Sequence, residues 1–217
     1  MSELQQEQIS TENFFKKNQK SLTYALVAAI VLIGGFFGYT ELYQKPREAK
    51  AADAMFMAEK YFANDSSNFV LNGDGQNKGV LYIIKEFSGT KAANLAKYYA
   101  GISYFRMNDF NKSIDYLKDF STDAKQIQAV AYGTLGDAYS SLNKVDEAVS
   151  HYKKAGEYFS EDEAISSEYL FRAAAFLELN NKTDEAIEIY TKIKNEYPKS
   201  EKGIMADKYI NRLKIQP

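Results

Sequence analysis

One spacing recurs three times along this chain of 217 residues. In the middle copy Gly136 is followed by Ala148, Tyr152 and Ala155. Upstream the same steps of 12, 4 and 3 give Gly101, Ser113, Leu117 and Phe120; downstream they give Ala174, Ala186, Tyr190 and Ile193. The copies are 35 and 38 residues apart. Steps of three and four belong to helices. A unit of this length cannot close a core by itself, so neighbouring copies must stack to bury their apolar faces. Small residues at 101, 136 and 174 let the first helix of each pair approach the second closely. Residues 113, 148 and 186 receive that approach, and the larger side chains after them fill the seam. Asn108-Asp109, Asn143-Lys144 and Asn180-Asn181 fall where each hairpin must turn.

The flanks continue the pattern in weaker form. Prolines occur only at 46, 198 and 217, and no run alternates as a strand would. Pro46 suits the first turn of a helix, so a helix is expected from Arg47 to about Ala63. The stretch Glu86-Phe87-Ser88-Gly89-Thr90-Lys91 resembles Glu196-Tyr197-Pro198-Lys199-Ser200-Glu201. Residues 76–87 are therefore expected to form the second helix of a degenerate earlier pair. Ile204, Met205, Tyr209, Ile210 and Leu213 mark a capping helix at the far end. The expected organisation is all-α: a tail over 1–20, a span over 21–43, a degenerate pair over 44–91, repeats over 92–200 and a cap over 201–217.

Between Lys20 and Glu41 lie 20 residues without a charge. As a helix they rise about 30 Å, the thickness of a bilayer's hydrocarbon core. Tyr24, Tyr39 and Tyr43 near the ends suit the two interfaces. A cleaved signal would have a shorter apolar run and prompt small residues after it; here Glu41 to Pro46 follow, which favours an uncleaved anchor. Lys16, Lys17 and Lys20 before the run balance Lys45, Arg47 and Lys50 after it, so charge alone leaves the orientation tied. A short tail with lysines abutting the span places the N-terminus in the cytoplasm and the large part outside it. Gly34 and Gly38 form a small-x-x-x-small pair at which a second membrane helix would pack, although such pairs also arise by chance.

Composition removes much chemistry. Without cysteine there is no disulfide, thiolate metal site or thiol catalyst, and one histidine leaves little for a relay. Beyond residue 43 the charge is near balance, so nothing attracts a nucleic acid. Asn72-Gly73-Asp74-Gly75 fails an EF-hand in both registers and reads as a loop. His151, beside Tyr152, reads as solvated or capping. No catalytic, cofactor-binding or metal residue stands out, and no enzyme is expected. Asn64-Asp65-Ser66, Asn111-Lys112-Ser113 and Asn181-Lys182-Thr183 match the glycosylation sequon, which carries weight only in a eukaryotic secretory protein.

The ladder, with Tyr132-x-x-Leu135-Gly136-x-x-Tyr139 as its clearest copy and Pro198 at its end, resembles the tetratricopeptide repeat over roughly residues 92–198. That resemblance implies an α-solenoid of about three repeats whose first helices line a partner groove. Carried over, the groove includes Tyr98, Ile102, Phe105, Arg106, Asp137 and Phe171. The two-carboxylate clamp of one subfamily is absent, because Tyr98, Ile102, Gly133 and Asp137 stand at its positions. The first-copy residues suit apolar or aromatic anchors, and they suit a core equally well. With one span ahead of the repeats, the chain resembles the bacterial membrane-anchored ancillary subunits of the SecYEG translocon. That implies an inner-membrane, single-pass protein with a periplasmic domain. Its implied partners are the translocon, a membrane-anchored periplasmic prolyl isomerase chaperone and unfolded clients. A scaffold for envelope assembly or cell division is the alternative.

Overall fold

The computed structural model describes residues 3–215, with side chains from Lys16 onward. Most side chains of the tail expected over 1–20 therefore lie outside the described residues, as do the last two residues of the expected cap. Two compact units divide at Lys50 and Ala51.

The first unit is helical throughout its described part. Helix α1 runs Glu3–Tyr39, a π-helical turn occupies Thr40–Gln44, and α2 begins at Lys45 and ends at Ala63. Pro46 does not open a separate helix, as its sequence context suggested. The helix passes through it. Proline lacks an N–H and its ring crowds the carbonyl four residues back; the wider turn ahead of it relieves the crowding, with the Lys45 N–H bonding to the Thr40 carbonyl.

In the second unit the described residues form helices joined by short turns. After α2 come α3 (Ser67–Asn72), α4 (Val80–Glu86), α5 (Lys91–Arg106), α6 (Phe110–Lys118), α7 (Lys125–Ser141), α8 (Val145–Tyr158), α9 (Glu163–Leu179), α10 (Thr183–Glu196) and α11 (Glu201–Ile215). Helices α5/α6, α7/α8 and α9/α10 are the three pairs of the ladder, and α11 packs on α10 and α9. Asn108, Asn143 and Asn181 all adopt positive φ, between 55° and 61°. Asparagine tolerates that left-handed conformation better than most residues. Each turn closes in the same way: the N–H of Asp109, Lys144 or Lys182 reaches the carbonyl of Tyr104, Tyr139 or Leu177 at 2.9–3.0 Å.

A fourth copy of this turn lies where the ladder is not visible. Asp65 has φ 53°, and the Ser66 N–H reaches the Tyr61 carbonyl at 2.9 Å. Tyr61 therefore corresponds to Tyr104 and Tyr139, and fully buried Ala58 corresponds to Gly101 and Gly136. The second helix of this earlier pair is not continuous over 76–87. It is split into α3 and α4, with Val70 and Val80 buried ten positions apart where Ser113 and Leu117 are four apart, an insertion of six residues. The intervening loop closes on a Gly73–Lys78 bridge. Asp74 holds it: its Oδ1 accepts the N–H of Gln76 and of Asn77 at 3.0 and 2.7 Å, and the Tyr61 hydroxyl donates to its Oδ2 at 2.6 Å. These bonds, Tyr61's first, hold the Asp74 carboxyl well below the usual carboxylate range.

Packing follows the ladder. A Cβ added to Gly136 would fall 2.5 Å from the Tyr152 ring, so only glycine lets α7 and α8 meet as they do. Leu117, Tyr152, Tyr190 and Ile193 are buried with Leu135, Leu170 and Leu177 in one cluster that runs from Ile102 to Leu213. A second cluster, from Ala51 to Ala100, holds the degenerate pair against α5, and Phe62 packs against both. The likeness between residues 86–91 and 196–201 is structural too. Thr90 and Ser200 each donate a hydroxyl to the carbonyl three residues back and accept the N–H three residues ahead, capping α5 and α11.

His151 is neither solvated nor a cap. It is half-buried, stacked on Tyr139 at 5.3 Å with a 14° angle between rings, and its Nδ1 has no hydrogen-bond partner. Burial, then the charges of Lys154 and Lys118, lower its pKa to about 4, so it is a neutral ring filling an aromatic seam.

Candidate partner-binding face

The first helices α5, α7, α9 and α11 form a row in which each touches the next. Of the residues expected to line a groove there, Ile102 is only 8% exposed and belongs to the core cluster. Phe105 and Phe171 pack against the same cluster: Phe105 beside Phe110, Phe171 against Tyr190 and Tyr209. Tyr98 lies half-buried against Phe120 and Tyr99, and burial raises its pKa. Arg106 is exposed, 3.0 Å from Asp65 and with its guanidinium 4.3 Å from the Phe62 ring centre. It ties the Asp65 turn, which precedes the first ladder turn, to the end of α5.

Asp137 is the hub of the row. It accepts the Tyr152 hydroxyl at 2.7 Å from α8 and faces the Arg172 guanidinium at 3.1 Å from α9. Burial first, then the Asp137 charge, push the Tyr152 pKa upward, so its proton stays in place. Arg172 also bonds Glu168 at 3.0 Å, and Lys202 reaches Glu168 at 3.4 Å. Burial works against the charge on Glu168, but Arg172 and Lys202 together hold its pKa below the usual value. Further along, the Nη2 of Arg212 donates to both oxygens of Glu178, at 2.6 and 2.8 Å.

Sequence reasoning missed this charge system, although it left a trace. Asp137 and Arg172, Asp146 and Lys182, Glu157 and Lys192, Glu168 and Lys202, and Glu178 and Arg212 are each 34 to 36 positions apart. At these five places an acid in one copy meets a base in the next; Lys125 and Glu161, 36 positions apart, pair in the opposite sense.

Tyr169 was also missed. Gly133 carries no side chain, and the far end of the Tyr169 ring occupies the space: a Cβ there would collide with the ring and lie 2.7 Å from its hydroxyl oxygen. Arg172 lies 5.3 Å from the ring centre. Burial raises the Tyr169 pKa.

At the other end of the chain, Lys16–Ala63 contains a window of mean hydropathy 2.0, none of it buried, long and apolar enough to cross a membrane. Side chains added at Gly34 or Gly38 would meet nothing within 4 Å. Among the described residues, no group of three or more His, Asp or Glu side chains is placed to hold a metal ion.

A search of solved structures finds a kinesin-light-chain-like protein of Podosopora anserina, made of nearly identical TPR-like repeats. It shares 12% identity, covers 76% of this chain and 86% of its own, and superposes with a TM-score of 0.55. The fold is a tetratricopeptide-like solenoid. The model of the soluble NSF attachment protein family, SNAP, matches residues 109–202, the stretch with the uninterrupted copies. No curated protein matches.

Proposed function

We propose that this protein is a membrane-tethered protein–protein interaction module. It assists secreted and envelope proteins where they emerge from the Sec translocon, together with a membrane-anchored periplasmic prolyl isomerase chaperone. In this reading residues 21–43 cross the inner membrane, the N-terminus stays in the cytoplasm and the repeats over 92–200 work in the periplasm. The observation that carries it is the union, on one chain, of an exposed apolar helix with a tetratricopeptide-like face rich in half-buried aromatics. Tethering raises the local concentration of the face near the translocon exit, so modest affinity suffices there. The fold and the absence of a recognised catalytic motif support an interaction role over catalysis. SNAP proteins, whose name describes attachment to NSF, are a precedent for the kind of scaffold and not for the partner.

Two experiments test it. Co-purification after gentle solubilisation should return translocon and chaperone subunits; peptidoglycan or division proteins in their place would move the reading to an envelope scaffold. A cysteine at exposed Gln76, Gln76→Cys, should react with an impermeant thiol reagent in spheroplasts. Reaction only after lysis would put the repeats in the cytoplasm and remove the translocon reading.

A further inference from the structure

We infer that the groove between α8 and α10 takes an aromatic side chain of a partner protein, carried next to an acidic residue. The groove lies among the second helices, so this binding surface is additional to the row of first helices and does not depend on the translocon reading.

The repeat supplies the template for the occupant, because one seam is filled from within and the next is not. In the seam of α6, α7 and α8 the Tyr139 ring lies buried and stacked on His151 at 5.3 Å. The Nζ atoms of Lys118 and Lys144 stand 5.5 and 5.8 Å from the centre of that ring. The ladder's own steps, 35 from α6 and 38 from α7 and α8, carry Lys118, Tyr139, Lys144 and His151 to Lys153, Leu177, Lys182 and Ile189. Both cations return, but both rings are replaced by smaller aliphatic side chains. The space stays open: a groove of about 370 Å³ has Val149 and Leu177 among its walls. That volume lies at the small end of the range for ligand sites.

The rim sets the charge of the occupant. Its acids are already held: Asp146 by Lys182 at 2.8 Å, Glu157 by Lys192 at 2.7 Å, and Glu185 by Lys182 at 3.5 Å. Lys153 and Lys154 line the same groove, and neither has an ion-pair partner among the described residues. An ammonium group is drawn to the face of an aromatic ring, as Lys118 is to Tyr139, and to a carboxylate. An aliphatic side chain would match the walls and leave both cations without a counterpart. A ring beside an acid answers walls and cations together.

The test uses the full chain in detergent and the peptide Gly-Ser-Phe-Asp-Ser-Gly with a para-fluorine on its phenylalanine. The fluorine NMR line should broaden as protein is added, and the titration gives an affinity; a line that the wild-type chain leaves sharp overturns the inference. Val149→Phe places a ring in the groove from α8 and should abolish the broadening with helical circular dichroism unchanged. Broadening that persists in that folded variant puts the peptide elsewhere and overturns the inference. Lys153→Ala, at an exposed residue, should weaken binding roughly two- to fivefold, the worth of an exposed cation–ring contact. An unchanged affinity there overturns it too, whether or not Val149→Phe folds. As unlabelled competitors, peptides with Leu for Phe or Asn for Asp should displace the probe less well than the parent; equal displacement by either one counts against the ring or the acid and overturns the inference as stated. The proposed function stands or falls separately, on the co-purification.

Discussion

The two ends of the repeat unit hold together by different means. From α7 onward each copy is uninterrupted, and successive copies exchange an acid for a base at the same position, as in Asp137–Arg172 and Glu178–Arg212. In the α2–α4 pair the second helix is cut by six inserted residues, and a knot of polar bonds around Asp74 splices the halves. Its neighbour α5 is joined to it by rings, Phe62 against Tyr99 at 4.7 Å, and by Arg106 across the turn at Asp65. The contrast teaches that a repeat survives the loss of its sequence ladder if the hairpin turn and the small residue at the crossing survive. Asp65 and Ala58 are those survivors.

The contrast can be broken most severely at Tyr190. It is fully buried and stacked on Tyr209 at 5.2 Å, so Tyr190→Ala should cost about 3–5 kcal/mol, in the range for emptied aromatic sites. Hydrogen exchange should show protection lost in α9–α11 ahead of α3–α5; uniform loss would mean that the two ends melt as one. Gly136→Leu comes next, at about 1–3 kcal/mol from overpacking against Tyr152. A thermal midpoint unchanged within error would contradict the crossing described for α7 and α8.

A smaller effect depends on pH. His151 titrates near 6.5 when unfolded and near 4 when folded, so the fold favours its neutral form. That stability is complete above about pH 6.5 and drains away as the pH falls towards 4. The ring is only half-buried, and solvent screening brings the loss to the order of 1 kcal/mol. His151→Phe keeps the stack on Tyr139 and should flatten the pH dependence of the melting temperature between 6.5 and 4; an identical slope would assign it to other groups. The smallest effect belongs to the exposed pairs. Lys192→Ala removes the 2.7 Å contact with Glu157 and should shift stability by less than about 1 kcal/mol. A larger shift would make the repeat-spaced ion pairs a principal glue of the C-terminal copies.

Much of the fold was legible because helical steps and turn residues are local signals. The asparagines at 108, 143 and 181 were read as turns from their position alone, and all three adopt the left-handed conformation. Asp65 was not, since the insertion between Val70 and Val80 displaced the landmarks that would have aligned it. Pro46 misled for a different reason: its context favours a helix start, and only backbone geometry shows the π-helical turn that lets the helix continue. The face was harder to read. Sequence left Ile102 and Phe105 open between groove and core, because burial depends on what the neighbouring helices bring. Tyr169 gave no signal on its own; its position follows from the missing side chain at Gly133, a residue one copy earlier. The charge pairs could have been found, by asking which opposite charges are separated by one repeat.

That last regularity has a consequence for how such a stack can grow. In five repeat-spaced contacts the acid belongs to the earlier copy and the base to the later one, against one, Lys125–Glu161, of the opposite sense. Each copy thus has two unlike sides, and the array has a sense of direction, like bricks keyed on one face only. A copy inserted in its natural order would meet a complementary neighbour where its matching residues are present. A copy set the other way round would bring acid to acid and base to base at those five places. The charge pattern therefore favours one order of copies along the solenoid, five pairs to one.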